Sequence, residues 1–217
     1  MIEAIFKYQF LQNALIACVL ASVVCGIIGV IIVEKKLVMM SGGIAHTAYG
    51  GVGLGYLIGV EPMLCAVGFS VLAALGIGGV KRRGKANADV IIALFWSVGM
   101  ALGIAFIGFM KGYPPDMNSY LFGNILTVTK SDLVMMAALV AVVALIIIIF
   151  FNQWKTYLFD EELAKIIGMN TAFLEYLLLI LIALTVVVLI RVAGIILVLA
   201  LLTAPAATAG MITHNLK

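Results

Sequence analysis

The chain has 217 residues, of which 65% are hydrophobic and only 11% charged, with a formal net charge of +3 and a mean hydropathy of +1.26. An ordinary soluble domain carries roughly 25% charged residues, so a water-soluble fold is excluded for want of polar surface to cover the apolar mass. The apolar stretches run unbroken instead of alternating with polar residues, which excludes a membrane barrel and leaves an all-α polytopic transmembrane helical bundle, because only helices satisfy every backbone N–H and C=O within one span.

A helix needs about 20 apolar residues to cross the hydrocarbon core. On that measure the sequence predicts seven spans: Leu11–Val33, Ser41–Val60, Pro62–Val80, Val90–Met110, Leu133–Phe151, Ala172–Ile190 and Ile195–Thr213. They form a single membrane domain over residues 1–217. Glu3 and Lys7 precede the first span, and no secretory signal pattern is present, so that span is read as mature. Cys18, Cys25 and Cys65 lie in apolar runs without metal-type spacing and are read as buried free thiols. One set of alternate loops holds Lys35, Lys36, Lys81, Arg82, Arg83, Lys85, Lys155, Lys165 and Lys217, and the other holds Lys7, Lys111, Lys130 and Arg191. The richer set is placed in the cytoplasm, which puts the amino terminus outside. The chain stops four residues after the last span, from which a C-terminal truncation is expected.

The second span differs from the rest. Gly43, Thr47, Gly51, Gly55 and Gly59 recur every four residues and predict a smooth helix face for close packing. His46 lies on another stripe, between Gly42 and Gly50, where its imidazole is expected to stand in an open groove. It serves either as an interhelical hydrogen-bonding group or as a metal ligand or proton relay lining a path. A single histidine supplies too few ligands for a tight site.

Gly79 to Ala86 superficially fits a phosphate-binding loop, but Ala86 cannot hold magnesium and a membrane span precedes it in place of a strand. It is a basic cytoplasmic loop, and any ATP hydrolysis belongs to another polypeptide. Asp89, at the start of the fourth span, is either a helix-start carboxylate or a weak candidate for pathway or salt-link duty with Arg82 and Arg83. Pro114 and Pro115 stiffen an external loop in which Asp116 reads as a solvated turn residue.

Before the sixth span, Asp160, Glu161 and Glu162 open a short run closed by Gly168, which predicts a cytoplasmic surface helix at about 159–168. Leu163, Ile166 and Ile167 recur at helical spacing. Such a helix either lies on the headgroups or docks a soluble motor. Arg191 marks the outer interface, and Pro205, deep in the seventh span, is expected to kink it.

In this order along the chain, Glu34–Leu37 with Ser41–His46, Asp89 with Ala101-Leu-Gly103, Leu121–Leu126 with Asp132-Leu133, Phe159–Gly168 and Ala193–Ala209 resemble the permease subunit of the zinc, manganese and iron importing ATP-binding-cassette transporters, the ABC-3 family. The resemblance implies an alternating-access metal permease in the plasma membrane. Its partners would be a cytoplasmic ATPase, an extracytoplasmic solute-binding protein, a second permease copy and membrane lipid, with no nucleic acid. It implies contact with the ATPase through Phe159, Asp160, Glu161, Ala164 and Gly168, a pathway role for His46, no stably bound cofactor, and a transported divalent zinc or manganese ion. The family's aspartate four residues before the histidine falls at Gly42 here, so one carboxylate ligand is missing. A permease for a metal chelate or other small solute is the alternative, and a membrane scaffold a further one. No second acid, base or nucleophile is positioned in another span, which argues against an enzyme.

Overall fold

The computed structural model describes residues 6–84, 87–113 and 116–212. Expectations placed on Glu3, Lys85, Ala86, Pro114, Pro115, Thr213 and Lys217 fall outside them. Among the described residues every regular element is helical: α1 (Gln9–Glu34), α2 (Val38–Ile58), α3 (Pro62–Arg82), α4 (Ala88–Gly108), a short α5 (Asn118–Phe122), a 3₁₀ turn at Ile125–Thr127, α6 (Lys130–Ile149), α7 (Phe151–Phe159), α8 (Glu161–Ile166) and α9 (Thr171–Ile212).

Five of these helices, α1, α3, α4, α6 and α9, are long and apolar enough to cross a membrane. The seven predicted runs therefore settle onto six helices. The sixth, α2, carries glycines, His46 and Thr47 in place of aliphatic residues and is less apolar, while α9 holds the last two runs.

Local chemistry sets the joints. Pro62 opens α3, where its missing N–H costs nothing, and Gly59 closes α2 in the left-handed conformation at φ 72. Thr129 and Asp132 form a reciprocal capping box at the start of α6. Within α9 the backbone leaves helical geometry at Gly194 (φ 75, ψ 162), a region open essentially to glycine alone. This break at Gly194 was not anticipated from the sequence, and Pro205 lies inside the helical arm that follows it. Gly194 lies backbone against backbone with Gly123, which also has positive φ, so neither position has room for a Cβ.

Lipid tails are as apolar as leucine, so close van der Waals approach has to hold these helices together. α2 is wrapped by α3, α4 and α9, while α9 also packs on α1, and α1 on α6. The buried core runs through Ile28, Ile32, Ile44, Ile77, Leu178, Leu189 and Ile195. Of the three cysteines, all free, only Cys25 is buried; Cys18 lies on the outer surface of α1 and Cys65 is half-buried.

Candidate functional site

α2 is helical in spite of its glycines because its neighbours come close enough to replace the missing side chains. A Cβ at Gly43 would lie 2.6 Å from Ile92, one at Gly50 2.8 Å from the Gly99 carbonyl oxygen, and one at Gly53 2.5 Å from that of Gly103. These three residues face α4. Gly51 instead abuts the backbone at Cys65 and Ala66, and Gly55 that at Pro62, so both face α3. The expected single small-residue face is thus divided between two partners, and Gly59 lies past the helix end in open space. Thr47 adds a polar clamp, with its hydroxyl within hydrogen-bonding distance of the Gly43 carbonyl at 2.8 Å and of the Phe95 carbonyl, across the interface on α4, at 3.0 Å.

His46 sits inside this assembly, 8% exposed. Its Nδ1 is 2.8 Å from the Gly42 carbonyl oxygen. A carbonyl can only accept, so Nδ1 carries the proton and Nε2 of the neutral ring keeps its lone pair. Donation from the non-ligating nitrogen to a backbone carbonyl is the arrangement that orients a metal-ligating histidine. The expected open groove is not present. The indole of Trp96, from α4, stacks on the imidazole with centroids 3.7 Å apart and planes 17° from parallel. Trp96 and Leu199 also fill the space beside Gly42, where an added Cβ would lie 3.3 Å from Trp96 Cζ3 and 3.4 Å from each Leu199 methyl carbon.

Asp89 lies elsewhere, exposed in the first turn of α4. Among the described residues it makes no ion pair, and Arg82 pairs instead with Glu175 of α9 at 2.8 Å, beside Lys81 at 3.2 Å. No group of three or more His, Cys, Asp or Glu gathers to hold a metal among the described residues.

At the Lys35 end of the bundle, α8 starts at Asp160, whose carboxylate accepts from the Leu163 N–H at 2.9 Å. Glu161 pairs with Lys165 at 3.0 Å and with Lys35, at the α1–α2 joint, at 3.5 Å. Lys35 also stands 3.7 Å above the Tyr157 ring. Burial lowers the Lys35 ammonium from its usual value against the pull of Glu161, and the Lys165 hydrogen bond holds the Glu161 carboxyl below its usual value. Ala164 is fully buried, whereas Phe159, Leu163, Ile166 and Ile167 are exposed. Gly168 follows in the left-handed region at φ 82.

The opposite end has its own polar group. Arg191 Nε lies 3.6 Å from Asp132 Oδ1, and Arg191 Nη1 donates to the Tyr120 hydroxyl at 3.3 Å. That hydroxyl is 3.2 Å from the Tyr56 hydroxyl. Sequence reasoning missed Trp96, Glu175, Tyr56 and Tyr120. Trp96 carried one usable signal, an isolated tryptophan in mid-span; Glu175, a lone acid near the start of α9, could have been matched to the basic loop.

A sequence model of the ABC 3 transport family matches residues 7–217. The chain is 41% identical to an uncharacterized membrane protein of Synechocystis sp., over 99% of this chain and 78% of that one. It is 36% identical to the manganese transport system membrane protein MntC of Listeria monocytogenes, over 100% of this chain and 77% of that protein. Among solved structures it resembles a chain of PsaBC from Streptococcus pneumoniae in complex with Fab, with a TM-score of 0.87 and 36% identity over 99% of this chain and 77% of that one.

Proposed function

This chain belongs to the ABC 3 transport family, and from that premise we propose that it is the multi-pass plasma-membrane permease subunit of an ATP-driven importer of divalent metal ions, with zinc, manganese and iron as the candidate cargo. The observation that carries the proposal is the build of α8. Buried Ala164 and the Glu161–Lys35 pair hold it to the bundle, while Phe159, Leu163, Ile166 and Ile167 are exposed as an apolar docking surface on the cytoplasmic side. A helix so held can pass movement from a soluble motor into the α1–α2 joint. His46, with a free Nε2 lone pair at mid-bundle, is the group of this chain suited to meet the ion.

The manganese-transporting name of the Listeria relative and the resemblance to PsaBC support a metal cargo. A separate cytoplasmic ATPase hydrolyses ATP, a solute-binding protein delivers the ion, and two permease copies enclose the path. The reading predicts ATP-dependent uptake of radiolabelled zinc or manganese into vesicles that hold this chain with its ATPase and binding protein. Uptake that persists undiminished without ATP overturns it.

A further inference from the structure

At the end of the bundle where the lysine- and arginine-rich loops lie, a cavity of about 260 Å³ opens between α1, α6 and α7. Ile27 and Val30 of α1, Ile147 of α6 and Leu158 of α7 make it apolar, and Lys155 is the one charged side chain among the described residues that line it. Lys155 is exposed and makes no ion pair among the described residues.

Two further observations point to a molecule that belongs there. Trp154 lines the same cavity, is 2% exposed, and has its Nε1 donor buried without an acceptor among the described residues. An unpaired buried N–H is costly, and tryptophan at a membrane interface ordinarily finds a polar partner for it at the headgroup level. Gly26 also borders the cavity, and no neighbour in this chain requires it to be glycine. A Cβ there would meet no atom within 4 Å, whereas one at Gly29, a turn further on, would run into the backbone of Leu202. Gly26 borders in addition a second apolar cavity of about 580 Å³ between α1, α5 and α9, so a flexible occupant has room to run on past it. A free phosphate would meet Lys155 and leave the apolar walls uncovered. A phospholipid covers both, and basic pockets between transmembrane helices on the cytoplasmic side suit anionic headgroups.

We propose that the cavity between α1, α6 and α7 is a binding site for one anionic glycerophospholipid of the cytoplasmic leaflet, with its phosphate at Lys155 and one acyl chain running past Ile27 and Gly26. The site stands apart from His46 and does not depend on the cargo. α7 runs into α8 at Asp160, so the bound lipid braces the segment that leads to the motor-facing helix.

The test is native mass spectrometry of the purified permease in detergent, with phosphatidylglycerol and phosphatidylcholine of the same acyl chains as probes. The native chain is expected to retain phosphatidylglycerol about fivefold better, the effect of one cation near an anionic headgroup. Lys155→Arg should keep that preference and Lys155→Glu should remove it. Gly26→Leu should leave the melting temperature of the lipid-free protein unchanged and lower retention of both lipids, because the added side chain takes the acyl chain's place. Trp96 and Trp154 are the two tryptophans of the chain, so in a Trp96→Phe background the fluorescence is that of Trp154 alone. Phosphatidylglycerol brominated on its acyl chains should quench it more than brominated phosphatidylcholine, and Lys155→Glu should abolish the difference. Equal retention of the two lipids by the native chain, or a preference unmoved by Lys155→Glu, overturns the inference. A dimer with no retained lipid and unquenched Trp154 also overturns it, and makes the cavity an interface between copies. If Gly26→Leu fails to fold, the Lys155 variants still decide.

Discussion

Single residues at the bundle ends carry charge effects that the apolar middle cannot. Glu161 joins α8 to the α1–α2 joint, and its folded carboxyl titrates below the ordinary value of 4.5. Its contribution to stability is therefore present above that ordinary value and is lost as pH falls through the lowered one. Protease protection of α8 should decline on acidification below about pH 4.5, and Glu161→Gln should be susceptible at neutral pH with a flatter profile. Glu175 is a second such residue, shared by Lys81 and Arg82. Glu175→Lys replaces two attractions by two repulsions and should lower the melting temperature in detergent. Adding Arg82→Glu should restore part of the loss, with a coupling of about 1 kcal/mol in a double-mutant cycle.

At the scale of the element, α2 and α9 depend on what their glycines lack. A methyl group at Gly53 would press on the backbone of Gly103, which a rotamer change cannot relieve. Gly53→Ala should force α2 and α4 apart at a cost of about 1–3 kcal/mol, read as a lower melting temperature in detergent. Gly194→Ala meets two penalties, since its φ of 75 disfavours any Cβ and the chain at Phe122 and Gly123 lies directly against it. The backbone strain alone is about 1–3 kcal/mol. The loss should exceed that of Gly53→Ala in the same measurement. Pro205→Ala, in the arm beyond Gly194, should leave the Gly194 bend unchanged when it is measured by spin-label distances across Gly194.

For the whole molecule, the predictions concern transmission between ends. Lys35 is the link between α8 and the helix that carries His46. Lys35→Ala should keep ATPase binding yet reduce uptake per ATP hydrolysed, whereas Leu163→Asp with Ile166→Asp should prevent the ATPase from co-purifying at all. The sequence by itself determined the all-helical membrane class, the approximate spans, the surface helix before α9 and the singular character of α2. Each of these follows from local composition and periodicity, because a bilayer enforces helix wherever an apolar run is long enough. Tertiary structure alone decided that the backbone breaks at Gly194, that the α2 glycines serve two neighbours, that Ala164 faces inward, and that Trp96 lies over His46 beside Gly42. Trp96 is separated from His46 by a whole helical hairpin, and no pattern in a single strand of sequence records which side chain will fill the space a glycine leaves open.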